Sequence, residues 1–273
     1  TAGNVVLLGK GVDGLLVASA VTVGSVGRVR SLTITGTATS GDGITTTGAL
    51  RATGALTLTG YTATGTNGID VGSTLASTVA GDVILSGKSG GINAAVYTTG
   101  VTLANALTVA SGNLTIQGSS LVGGIATPLP GSSATGSRYG FSSAAAGDIA
   151  VSGNISLAGT SVTFLGAYLL GDVLSTDGNV ALTGAGLYAM SLSAPVTAGT
   201  GANPRTLTIT TTGSNGYGLN TAAAAALSAT GSIALTAYAT IGAAGISIAA
   251  PIRSTLRGDV VISSYAGGAG ENA

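Results

Sequence analysis

Apolar and small polar residues alternate along this chain in short bursts that recur about every 27 residues. Each burst runs aliphatic, any residue, aliphatic, small polar residue, and then usually Gly. The copies are NVVLLG from Asn4, SLTITG from Ser31, ALTLTG from Ala55, DVILSG from Asp82 and NLTIQG from Asn113. They continue as DIAVSG from Asp148, NVALTG from Asn179, TLTITT from Thr206, SIALTA from Ser232 and DVVISS from Asp259. The aliphatic pairs run from Val5/Leu7 through Ile149/Val151 to Val260/Ile262. All ten are complete, although hydrophobic residues of every kind make up only 45% of the chain. A period of two places each pair on one face of a β-strand. The flanking glycines predict a turn at either end of that strand. The longest spacings follow Asp82, Asn113 and Asp148.

A second motif, Gly followed by an aliphatic residue, comes after most copies. It occurs at Gly14-Leu15, Gly43-Ile44, Gly68-Ile69, Gly91-Ile92, Gly124-Ile125, Gly186-Leu187, Gly218-Leu219 and Gly245-Ile246, with no clear equivalent after Asp148. A third apolar position precedes the next copy at Leu50, Leu75, Leu107, Val173 and Leu227. Three short strands per repeat describe one coil of a β-solenoid. A single coil cannot bury its inner face, but coils stacked about 4.8 Å apart pair every strand with its equivalents above and below. The fold expected is all-β: a right-handed parallel β-helix of about ten coils, one domain over residues 1–273. Its core would be an aliphatic ladder rather than an aromatic cluster. Low-complexity disorder is the competing reading. The Ala runs 144–146 and 222–226 are too short to nucleate helices and read as narrow strand or turn.

The copies GDVILSG, GNLTIQG, GDIAVSG and GNVALTG resemble the repeats of filamentous-haemagglutinin-type adhesins, found in two-partner secretion proteins and autotransporter passengers of Gram-negative bacteria. The resemblance extends from Asn4 to Ser264. It implies a right-handed parallel β-helix, export to the cell surface, and a role in adhesion, aggregation or toxin presentation.

Composition narrows the chemistry. The chain has no Cys, no His and no Trp, which removes thiol nucleophiles, Ser-His-Asp triads and the usual zinc ligands. No cofactor is expected. Nine Lys and Arg balance nine Asp and Glu, so no net field favours nucleic acid. Residues 206–252 contain no charged residue, but their glycines and recurring Thr and Ser exclude a membrane-spanning helix. Ten aromatics are too few for the girdles of a membrane barrel, so membrane insertion is not expected. The chain starts at Thr1 without a charged, apolar leader, which fits either a leader already removed or an excerpt of a longer stalk.

Candidate sites are few. Asp82, Asp148 and Asp259 open their copies and read as turn residues bonding their own backbone. A hydroxyl column, Thr35, Thr59, Ser86, Ser152, Thr183, Thr210, Thr236 and Ser263, is interrupted by Gln117; an unbroken flat version would suit ice binding. Tyr61, Tyr238 and Tyr265 share one expected outward column. Residues 121–141, with Pro128 and Pro130, read as a projecting loop, and Arg138, Tyr139 and Phe141 are its candidate binding residues for a sugar or a protein partner. Neither end shows a cap, so end-to-end self-association is open. The reading overall is a non-enzymatic extracellular stalk or fibre of a bacterial surface adhesin, contacting a host or neighbouring-cell receptor or glycan. The alternatives are a filament subunit, an ice-binding module and a glycan-active enzyme.

Overall fold

The computed structural model describes residues 3–25, 27–90, 98–121, 138–241 and 244–267. They form a parallel β-solenoid with three sheets. The long sheet holds ten strands of seven residues, from Val5–Gly11 to Val260–Ala266. The second and third sheets hold nine strands each, so the tube makes nine full coils and one further strand. The strands of each sheet pair in parallel with their equivalents on adjoining coils; Leu32 stands on Val5, Leu56 on Leu32 and Val83 on Leu56. No helix occurs among the described residues, and both Ala runs lie in turns and coil.

The core is the expected aliphatic ladder. Leu32, Leu56, Val83, Leu114, Val180, Leu207 and Ile233 are all buried in one column. Burying each such side chain contributes about 1.5–3 kcal/mol before ordering entropy. The third apolar positions also fall into one column, with Leu50, Leu75 and Leu107 in register.

One of the ten copies belongs elsewhere. Ile149–Val151 is a strand of the third sheet, where Ile149 stands on Leu107. The place expected for it in the long sheet is taken by Ile155–Ser161, with Ile155 on Leu114. The next segment, NISLAG from Asn154, fits the same pattern six residues later. The coil from Asn113 to Asn154 is therefore 41 residues long, and that from Asn154 to Asn179 only 25. The hydroxyl column changes with it: Ala158 replaces Ser152, beside Gln117.

The Gly that closes the repeat motif is not a turn residue. It is the fifth residue of a seven-residue strand and points inward. A methyl group added at Gly36 would strike the Gly43 carbonyl, and one at Gly118 the Gly140 carbonyl. The glycine lets the second sheet cross close over the long one. The second sheet also departs from expectation at three coils. Val101 of Gly100-Val101 stands on Ile69, where Gly91-Ile92 had been expected, and residues 91–97 lie outside the described set. Gly140-Phe141 takes the place given to Gly124-Ile125, which also lies outside it. Met190, not Leu187, stands under Leu219.

Both ends of the tube show their interior. Val5, Leu7, Leu15 and Val21 at one end, and Ile246, Ile248 and Ile252 at the other, are partly buried against the core. Val260 is 44% exposed, whereas Ile233 one coil below is 0% exposed.

Candidate functional site

A ladder of side chains runs along the turn that leads into the long sheet. Asp82 Oδ1 accepts from the Asn113 backbone N–H at 2.8 Å, and Asn113 Oδ1 from that of Asn154 at 2.9 Å. Asn154 and Asn179 continue it to Asn179 and Thr206. Gly112, at φ 142°, precedes one rung, a conformation that favours glycine. The sequence predicts that Asp82 and Asp148 bond their own backbone; instead the ladder residues bond the backbone of the next coil. Asp148 does the same toward Asp172 N–H at 3.0 Å, on the third-sheet side.

Of the predicted projecting loop, residues 122–137 lie outside the described residues. Its last four residues, 138–141, belong to the second-sheet strand Arg138–Ser143. Phe141 is fully buried, between Val101 and Ala167 in register, and its ring sits in the tube where Ala167 leaves room. Arg138 is 7% exposed, with its guanidinium donating to Thr163 Oγ1 at 3.4 Å and its carbonyl accepting from Ser161 Oγ at 3.0 Å. Both side chains are part of the wall or core: strict alternation breaks at Gly140, so that Arg138, Phe141 and Ser143 are buried while Tyr139 and Ser142 stay half-buried. Tyr139 alone of the three is set on the outer face.

Tyr139 belongs to a cluster. Its ring stacks on Tyr168 at 5.4 Å between centroids and 16° between planes. Phe164 meets Tyr139 edge-on at 5.7 Å and Tyr188 edge-on at 5.8 Å. In register, Tyr139 stands on Leu165, and Leu165 on Tyr188. Ala189 N–H then donates to the carbonyl of Tyr217, which is 39% exposed. Three of the eight Tyr and one of the two Phe thus meet on consecutive coils. Each such pair adds about 0.5–1.5 kcal/mol beyond area burial. Sequence reading found Tyr139 and missed Phe164, Tyr168 and Tyr188. The signal available was the recurrence of aromatics at coil spacing between 139 and 217.

Beside this cluster the turn between the long and second sheets leaves an open groove of about 270 Å³. Thr160, Ser161, Val162, Thr212, Ser214 and Thr240 line it, and most of the surface they present is apolar, since Ser161, Ser214 and Thr240 turn their hydroxyls to backbone carbonyls. Ser161 connects the two features, since its Oγ accepts the Phe164 N–H at 3.2 Å.

Farther along the second sheet the outer face is acidic. Asp42 accepts from the Asn67 backbone N–H at 2.8 Å, from Thr45 Oγ1 at 3.3 Å and from Thr66 Oγ1. Burial, and then the negative charge of Asp42, push the carboxyl of Asp70 above its ordinary range. Among the described residues no group of three or more acidic side chains is arranged to hold a metal ion. On the long sheet, Tyr238 and Tyr265 stack at 4.8 Å and 7°, and Lys88 lies 5.8 Å over the Tyr61 ring. The expected Tyr column is therefore real.

Comparison with family models, with curated proteins and with solved structures finds no match in any of the three.

Proposed function

We propose that the chain is a section of an extracellular β-helical stalk of a bacterial surface adhesin, and that it is not an enzyme. One observation carries this reading. The residues behind the resemblance to filamentous-haemagglutinin-type repeats, in GDVILSG and GNLTIQG, lie in the neighbouring in-register strands Val83–Ser89 and Leu114–Ser120. Nine spacings of about 4.8 Å give a rod of about 43 Å for the long sheet. A tube whose sheets add a strand with every coil is suited to carrying a binding surface away from a cell. The absence of Cys fits export through an oxidising envelope.

A glycan-active enzyme needs a carboxylate free to move a proton. Asp42 spends its acceptor capacity on Thr45, Thr66 and Asn67, which supports a structural role for Asp42. Ice binding needs an unbroken hydroxyl face, and Gln117 and Ala158 stand together in the middle of this one.

The filament reading draws on the half-exposed inner residues at both ends.

The experiment is surface labelling. Antibody raised against the chain is expected to mark intact producing cells, and external protease to remove the signal. A chain protected until the cells are lysed would contradict the reading.

A further inference from the structure

We propose that the aromatic cluster and the adjoining groove bind a neutral oligosaccharide laid along the tube axis. The inference rests on the geometry of this face and not on the stalk reading.

Three features point to a sugar. First, the rings of Tyr139, Phe164, Tyr168 and Tyr188 sit on the outside of a fold whose core has no need of them. Apart from Phe141, the largest fully buried side chains are aliphatic. Pyranose rings present faces of C–H groups, which pack on aromatic rings as other apolar groups do. Second, the largely apolar groove beside the cluster carries exposed Thr160 and Thr212 on separate coils, with Thr240, whose Oγ1 donates to the Ser214 carbonyl and keeps a lone pair to accept. Hydroxyls both donate and accept, and so match the hydroxyls around a pyranose ring. Third, no charged residue lines the groove, and Arg138, next to Tyr139 in the chain, is buried. A sulfated or uronic glycan would lose hydration here without meeting an opposite charge.

The coil geometry sets the orientation. Tyr139, Leu165 and Tyr188 occupy one column, a coil apart, with Tyr217 next. The coil spacing of about 4.8 Å is close to the length of one extended β-linked pyranose unit, so successive sugars meet successive rungs.

The test uses the whole chain. It has no Trp, so its tyrosine fluorescence reports directly on this cluster and the other Tyr positions. Cellotetraose and chitotetraose are titrated as neutral probes, with a heparin tetrasaccharide as the charged one. The expected result is a saturable response to a neutral probe at millimolar concentration or below, unaffected by added salt. Tyr168→Ala should weaken it about tenfold, the loss of one stacked ring, while Tyr265→Ala leaves it unchanged. Thr212→Arg, on an exposed groove position, should also weaken it and leaves the cluster intact, so a folding defect in Tyr168→Ala does not decide the outcome. The proposal is overturned if neither neutral probe binds, if binding survives both variants, or if only the heparin probe binds and salt abolishes it. Cell-surface labelling is independent of every one of these outcomes.

Discussion

Asn113 and Asn154 are 41 residues apart in the chain, yet the side-chain oxygen of the first accepts the backbone N–H of the second at 2.9 Å, and also its Nδ2 at 3.2 Å. The longest coil is thus closed at its end by the same side-chain bond that closes the 31-residue coil before it, between Asp82 and Asn113. The ladder holds register where the coil length varies.

Asn154→Ala tests that role. It removes the acceptor for the Asn179 N–H and the Nδ2 bond to Asn113. A loss of about 1 kcal/mol in urea unfolding is expected, with little change in the β spectrum, because the aliphatic ladder stays intact. A loss of several kcal/mol would mean that the turn, and not the core, holds the coil together.

The inward glycine column makes a sharper prediction. Gly118→Ala brings a methyl group against the Gly140 carbonyl, a backbone atom that cannot turn away. The expected cost is about 3 kcal/mol. Gly3→Ala, where a methyl group meets nothing within 4 Å, should change stability by less than about 0.5 kcal/mol. Thermal melts of the two variants check both values.

Two residues apart on one strand, Phe141 and Tyr139 should behave differently. Phe141→Ala empties the tube beside Ala167 and is expected to cost about 3–5 kcal/mol. Tyr139→Ala removes a ring stacked on the outer face and should cost about 1 kcal/mol. Chemical denaturation of both variants measures the difference. Equal losses would contradict the assignment of one ring to the core and the other to the surface.

Much of this fold is legible in the sequence because inner strand positions must be aliphatic at period two. Nine of the ten copies therefore lie where the pattern put them. The tenth failed because DIAVSG from Asp148 and NISLAG from Asn154 satisfy the pattern equally, and only pairing with Leu107 or Leu114 separates them. The closing Gly was read as a turn because a strand end and a strand crossed closely by another backbone both call for Gly. Cross-sheet distance, which a linear pattern does not carry, distinguishes them. The site was less legible. Tyr139 was visible as a residue type, but its partners Tyr168 and Phe164 come from the next coil. Arg138 and Phe141 end a stretch whose prolines and small residues predict a loop, yet they belong to a strand.

Asp70 gives a pH prediction. Its carboxyl is pushed up by burial and by Asp42, so the folded protein holds that proton more tightly than the unfolded chain. Ionising it therefore costs stability as pH rises from the ordinary carboxylate range through the raised value. Asp70→Asn should stabilise the protein at neutral pH by less than about 1 kcal/mol, since the group keeps part of its solvent. The gain should vanish below the ordinary carboxylate range. Urea melts at both pH values check the sign, and a destabilised variant at neutral pH would contradict it.

The most direct measurement of the whole account is an electron-spin distance between labels on Cys introduced at Thr33 and Thr208, in a chain with no native Cys. Both positions are on the outer face of the long sheet, and the register steps from Thr33 through Thr57, Ile84, Thr115, Ser156 and Ala181 to Thr208. Six strand spacings predict a narrow distribution between the labelled backbones centred near about 29 Å. A broad distribution, or a distance far from that value once label length is allowed for, would contradict the stacked tube on which the proposed site depends.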